Sequence, residues 1–220
     1  MGTRREFIRS CLLWLGGIGL ADRFFYKNEV SALTDNKREV IEAGADPKEL
    51  VLRNPKDIDA SRLEPTPLED FGTMGLEDHE TDLSSWKLIV DGDVAEPLSL
   101  SLKEVKSLPT VERKVLLICP GVFINQGLWK GVDITELLKR AKVDTAVKRV
   151  TIRGPAGPYE KVLSVPIDDV RAGKTLLAYE VNGSPLPIKH GFPLRLAVKD
   201  YYGYDWIKYV YKVTAHKVGS

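Results

Sequence analysis

The thiol of Cys119 stands at the end of an apolar run, Lys114 to Cys119, directly before Pro120-Gly121. A sulfur so placed has three uses: a small core side chain, a nucleophile, or a soft metal ligand. A nucleophile needs a base beside it. His190 is the candidate for a thiol hydrolase, but no third residue that would orient the histidine is evident. His79, His190 and His216 are scattered, and no Cys or His pair has zinc-ligand spacing. Gly-x-Gly-x-x-Gly and Walker loops, Cys-x-x-Cys-His and Gly-x-Ser-x-Gly are all missing, which argues against nucleotide binding, covalent haem and a serine nucleophile elbow.

The second chemical feature is "LAYEVNGSPLPIKHGFPLRLAV", Leu177 to Val198. It starts as a strand, turns at Asn182-Gly183, and sets Pro185, Pro187 and Pro193 around Lys189, His190 and Gly191. A rigid loop that presents a histidine and then Arg195 suits an anion or a polar heterocycle. Taken on composition alone, it suits a proline-stiffened crossover equally well.

Positioning these groups falls to short, β-branched or aromatic segments punctuated by Gly and Pro. "WKLIVDGDV", "RKVLLIC", "KRVTIRG", "YEKVLSVPI", "TLLAYEVNG", "PLRLAVK" and "WIKYVYKVTAHK" read as strands. "LSLSLKEVKSLP" alternates and then becomes a short helix. "DITELLKRAKV" has an Asp N-cap and one apolar face, and "IDDVRAG" is a third helix. The result is an α+β domain with a mainly β core and a few short helices.

With these elements in order, "LAYEVNGSPLP..HGFPLRL" resembles the signature of the sulfite oxidase family of molybdopterin enzymes. "WKLIVDGDVAEPLSLSLKEVKSLP" is similar to the family's opening strand-and-helix unit. "DYYGYDWIKYV" resembles the segment that carries a cofactor-binding lysine, and "VLLICPGV" lies where the family places its molybdenum-binding cysteine. "TPLEDFGTMG" lies where a cofactor-contacting loop is expected. The likeness runs from about Leu63 to His216 and implies a sulfite oxidase-type fold. It also implies a molybdenum–molybdopterin cofactor ligated by Cys119, with His190, Arg195, Gly154, Lys208 and the backbone of Trp206 and Ile207 around it. Thr66, Glu69 and Asp70 fall in the earlier loop, and Tyr159 would match the active-site tyrosine of sulfite oxidases, two residues out of step. "PGVFINQGLW" after Cys119 is apolar and amide-rich, unlike the cationic segment of sulfite oxidases, and the chain matches neither the sulfite oxidases nor the methionine-sulfoxide reductases cleanly.

Two features outside this domain bear on location. "TRREFIR" followed by "CLLWLGGIGLA" joins paired arginines to an apolar stretch too short to span a bilayer, with a small-residue exit at Ala21. Residues 1–21 are therefore expected to be a twin-arginine export signal, which in general moves folded, often cofactor-loaded proteins to the periplasm. Left uncleaved, the segment would be a membrane anchor. Arg4, Arg5 and Arg9 less Glu6 carry two positive charges, so a chain starting after Ala21 falls from +1 to −1. That balance speaks against nucleic-acid binding. Loss of Cys11 would leave Cys119 alone and preclude an internal disulfide.

Residues 22–62, polar and broken by Pro47 and Pro55, are expected to form an extended arm before a catalytic domain at 63–220. Because "YKVTAHK" comes so late, no room follows it for the dimerisation domain of many relatives, and a monomer or a subunit of a small complex is expected. The combined expectation is an exported oxidoreductase that transfers an oxygen atom at a cysteine-ligated oxo-molybdenum centre. It would exchange electrons with a separate cytochrome c or membrane haem subunit. The competing readings are a binding module that keeps the fold without the metal, and the Cys119/His190 hydrolase.

Overall fold

The computed structural model describes residues 38–157 and 160–217. The expected export segment and Tyr159 lie outside them. The described chain is β-dominated, with three short α-helices.

One five-stranded sheet has the order β4-β3-β12-β7-β8, built from β3 (Leu88–Gly92), β4 (Leu98–Leu100), β7 (Arg149–Arg153), β8 (Val162–Pro166) and β12 (Lys212–His216). β12 lies parallel to β3 and antiparallel to β7. The second sheet runs β10-β9-β6-β5, with β11 also on β9: β5 (Thr110–Cys119), β6 (Phe123–Asp133), β9 (Thr175–Val181), β10 (Ser184–Pro185) and β11 (Arg195–Val198). Side chains such as Leu88, Val90, Val132, Ile152, Leu177, Leu196 and Val213 are fully buried in one continuous core.

The helices follow local rules. α1 (Leu102–Lys106) opens on a Ser101/Glu104 capping box. α2 (Ile134–Arg140) opens on Asp133, whose carboxylate accepts from Thr135 N at 2.8 Å. α3 is Ile167–Arg171. Among the described residues no helix is long and apolar enough to cross a membrane.

Strand β6 was not expected from the sequence. It pairs with β5 residue for residue, from Thr110↔Val132 to Cys119↔Phe123. The intervening Cys119-Pro120-Gly121-Val122 closes with Val122 N donating to Cys119 O at 3.0 Å, and Gly121 has φ 72°. Pro then Gly at positive φ is the signature of a type II turn. Cys119 thus ends one strand of a hairpin.

Residues 38–63 carry two short strands, β1 (Glu39–Val40) and β2 (Ile58–Asp59), paired in parallel. Ile41, Leu50, Ile58 and Leu63 bury themselves against Leu116 and Ile118 of β5. At roughly 1.5–3 kcal/mol for each fully buried aliphatic side chain, this cluster holds the segment down.

Candidate cofactor site

A cleft of about 250 Å³ opens where the two sheets meet the irregular segments 73–76 and 203–209. Its charged lining is Lys161, Arg195, Lys208 and Glu160. Glu160 is paired with Arg153 at 3.3 Å, so three cations face the cleft without a matching anion among the described residues.

Arg195 opens β11 and is 6 % exposed. Its Nη1 donates to His190 O at 2.9 Å, while its Nε has no partner. Among the described residues no carboxylate pairs with it. Its guanidinium lies over the rings of Trp206 and Trp129, at 5.4 and 5.7 Å from their centroids. Burial pulls its pKa down to about 10, still well charged at neutral pH. A buried guanidinium without a counter-ion costs several kcal/mol, and a fold sustains it when an anionic group is to complete the site.

His190 is 2 % exposed, edge-on to Phe71 at 5.7 Å, and its Nε2 has no partner. Burial, then Arg195, Lys189 and Lys208, push its pKa down to about 4, so the ring is neutral. The tight turn Ile188–His190 ends on Gly191 at φ 106°, where a Cβ would stand 2.9 Å from Lys208 Cα. Glycine there lets the 207–210 segment run against 191–196, held by Leu196 N to Ile207 O, Tyr209 N to Gly191 O and Val210 N to Leu194 O.

That pairing sets Lys208 beside the histidine loop. Lys208 Nζ donates to Thr73 Oγ1 at 2.7 Å and Leu76 O at 2.8 Å. Burial, Arg195 and Lys161 outweigh the pull of Glu77 and bring its pKa to about 8. Trp206 lines the cleft, and its Nε1 is another buried donor without a partner. Gly154 lines it too and is pinned by donating to Lys161 O at 2.9 Å. Ile207 is buried behind the wall, where a Cβ on Gly154 would meet its side chain at 3.2 Å.

Cys119 is 6 % exposed. Burial pushes the thiol pKa up, and the nearby Lys161 ammonium pulls against it. The thiol does not itself line the cleft, but Gly203, which does, packs against Leu117 and Ile118 just before it.

The earlier loop divides in two. Thr66 is engaged with β6: its N donates to Gln126 O at 2.8 Å and its Oγ1 accepts from Gln126 N at 3.0 Å. Glu69 and Asp70 are exposed on a surface turn. None of the three lines the cleft, which takes Met74, Gly75 and Leu76 from this loop instead. Sequence reasoning also missed Lys161, Gly203 and Tyr209. Gly203 among aromatics in "YYGYDW" was a usable signal, since a Cβ there would stand 2.7 Å from Leu117 Cδ2. Lys161 and Tyr209 carried none.

Three cations and three orphaned buried nitrogens beside a thiol define a site for an anionic, polar cofactor. Among the described residues no three His, Cys, Asp or Glu cluster to hold a metal. A metal here would have to arrive with ligands of its own and take one sulfur from the chain. A phosphate-bearing pterin that carries its metal on a dithiolene meets both conditions, so the residues fit that group.

Comparison with known proteins agrees. The profile of a family described as "Oxidoreductase molybdopterin binding domain" matches residues 75–219. The chain is 36% identical over 115 residues to an uncharacterized oxidoreductase, YuiH of Bacillus subtilis, covering 52% of this chain and 57% of the relative. It is 33% identical over 144 residues to the protein-methionine-sulfoxide reductase catalytic subunit MsrP of Xanthomonas campestris, covering 60% and 45%. The chain thus spans about half the length of the curated relatives it matches. The sulfane dehydrogenase SoxCD of Paracoccus pantotrophus shares the fold, with TM-score 0.60 and 22% identity over 89% of this chain and 54% of that one. The chain belongs to the molybdopterin-binding oxidoreductases of the sulfite oxidase family and is an enzyme that uses the molybdopterin cofactor.

Proposed function

We propose that the protein catalyses oxygen-atom transfer to or from a small sulfur-containing substrate, and that it does so outside the cytoplasm. The observation that carries this reading is the buried Arg195, bonded to the His190 loop and without a carboxylate partner among the described residues, which lines with Lys208 a cleft whose Gly203 wall packs on the strand that ends at Cys119. Cys119 would ligate molybdenum as thiolate. Arg195 Nε, His190 Nε2, Trp206 Nε1 and Lys208 Nζ would hold the pterin and its phosphate, with Gly154 giving close backbone approach. When bound, the cofactor supplies the two-electron change that accompanies transfer of an oxygen atom.

The chain's own task is to hold the charged groups still. The Arg195 guanidinium lies over the rings of both Trp129 and Trp206, which touch each other edge to face, and this holds the cation without neutralising it. His190 stays uncharged at neutral pH, so its ring meets the cofactor as a neutral hydrogen-bonding group. Export rests on the paired arginines and apolar run of residues 1–21. A separate haem protein, a cytochrome c or a membrane subunit, would exchange the electrons with the cofactor.

The test is molybdenum and pterin analysis of the purified protein, followed by assays with sulfite and with methionine sulfoxide. About one molybdenum per chain is expected, with turnover of one of the two substrates. Cys119→Ser should fold but lose activity by 100-fold or more. Full activity in that variant, or wild-type protein free of molybdenum and pterin after expression in a cofactor-producing host, would refute the proposal.

A further inference from the structure

Lys161 is the cleft residue that the site described above leaves without a task. It stands just before β8, and its carbonyl accepts from Gly154 N at 2.9 Å. Its side chain lines the cleft, and among the described residues its Nζ donates once, to Tyr204 O at 3.1 Å. An ammonium has three N–H donors, so two remain for a ligand. Among the described residues no carboxylate lies within ion-pair distance of it. Asp205 acts on it only through space, and Arg195 repels it.

The three cations of the cleft are not equivalent. Arg195 and Lys208 converge on the His190 loop, through the Arg195–His190 bond and the Lys208 packing on Gly191. Lys161 is instead tied to the 203–205 turn through Tyr204 O, and Gly203 of that turn packs on Leu117 and Ile118, the two residues before Cys119. Arg195 and Lys208 thus go with the histidine loop, and Lys161 with the strand end that bears the thiol. A substrate that reacts at a metal on that thiol would come within reach of Lys161. An exposed lysine with two free donors, tethered by one backbone carbonyl, suits a ligand that comes and goes.

We propose that Lys161 is the specificity-determining residue of this enzyme: its ammonium binds an oxygen of an anionic substrate beside the cysteine-ligated metal and favours small oxyanions over neutral sulfoxides. This inference rests on the proposed function above, and it assigns the cation that the apolar, amide-rich segment after Cys119 does not provide.

The test uses inorganic sulfate as an unreactive dianion, titrated calorimetrically into the cofactor-loaded protein, with molybdenum content measured on each preparation. Lys161→Met should weaken sulfate binding by 10-fold or more at unchanged molybdenum content. Lys161→Arg should stay within about 3-fold of wild type. In steady state, Lys161→Met should raise KM for sulfite far more than it lowers kcat. Sulfate binding insensitive to Lys161→Met overturns the proposal. So does a matching loss of molybdenum, which would place Lys161 in the cofactor's cradle. Wild-type protein that lacks molybdenum altogether refutes the parent function instead, so the two failures are separable.

Discussion

His190 ties the site to the stability of the fold through a proton. In the folded chain its pKa is pushed from 6.5 to about 4, chiefly by burial. Above about pH 6.5 the ring is neutral whether the chain is folded or not. Between 6.5 and 4 the unfolded chain takes up a proton that the folded chain refuses, so stability falls as the pH drops through that window. At 1.36 kcal/mol per pKa unit the loss approaches roughly 3 kcal/mol. Cofactor-free protein should therefore lose thermal stability steeply from pH 6.5 to 4.5, as read by melting temperature in a pH series. His190→Gln should flatten that slope, although it lowers stability at pH 7. An unchanged slope would mean that the histidine is not held neutral by burial. Arg195 offers no such lever, because its pKa of about 10 keeps it charged throughout.

Among the elements, the turn from Ile188 through Gly191 has little freedom. Gly191 at φ 106° lies outside the range of L side chains, and a Cβ would strike the Lys208 backbone. Gly191→Ala is expected to cost about 1–3 kcal/mol from backbone strain alone. The added contact should push Lys208 away from the histidine loop, so cofactor content should fall by more than the lost stability explains. Denaturant titration and molybdenum analysis of the same sample would separate the two effects. The glycine itself was legible in "KHGFP", because histidine, glycine and proline in series have few conformations open to them. Strand β6 was not legible. Its residues include Asn125, Gln126, Gly127 and Gly131, and Asn and Gly are depleted in strands. In the fold Asn125 clasps Gly72 through both N and O, and Gln126 Nε2 reaches Ala60 O at 2.7 Å. Gly127 leaves room for the Trp129 indole, and Gly131 for the backbone of Leu177. These amides and glycines are strand residues because partners distant in sequence require them, and periodicity does not report that. Lys161 escaped notice for the same reason, since only the meeting of β8 with the 203–205 turn gives it a site.

At the level of the whole molecule, residues 38–63 work as a strap across β5. Its apolar residues pack on Leu116 and Ile118. Arg38 grips Asp200 with two hydrogen bonds, at 2.6 and 2.7 Å. Asp200 is itself buried and also holds Lys174 at 3.2 Å. Arg38 is about one-third exposed, so its pairing is discounted to about 1 kcal/mol. Arg38→Gln should lower global stability by about that amount. It should raise the rate of proteolytic cleavage within residues 39–57 by several-fold, measured under native conditions. Cleavage at the wild-type rate would show that the apolar cluster alone holds the strap. The strap also reaches the hairpin that carries Cys119, where Gly121 N donates to Val51 O at 3.2 Å. Loosening it should therefore reach the thiol before it reaches Arg195.

The place of β12 between β3 and β7 sets a timetable for synthesis. Thr214 on β12 is bonded to Asp91 on β3, 123 residues earlier in the chain. At about 5–20 residues per second, β3 leaves the ribosome roughly 6–25 s before the strand that covers its open edge. Through that interval a row of unpaired amides and carbonyls is exposed, a template for wrong partners. Lys208 emerges in the same stretch, so the pocket cannot close on its cofactor before that segment has been made. Loading must wait for it, and the newborn protein depends in the meantime on whatever shields that edge.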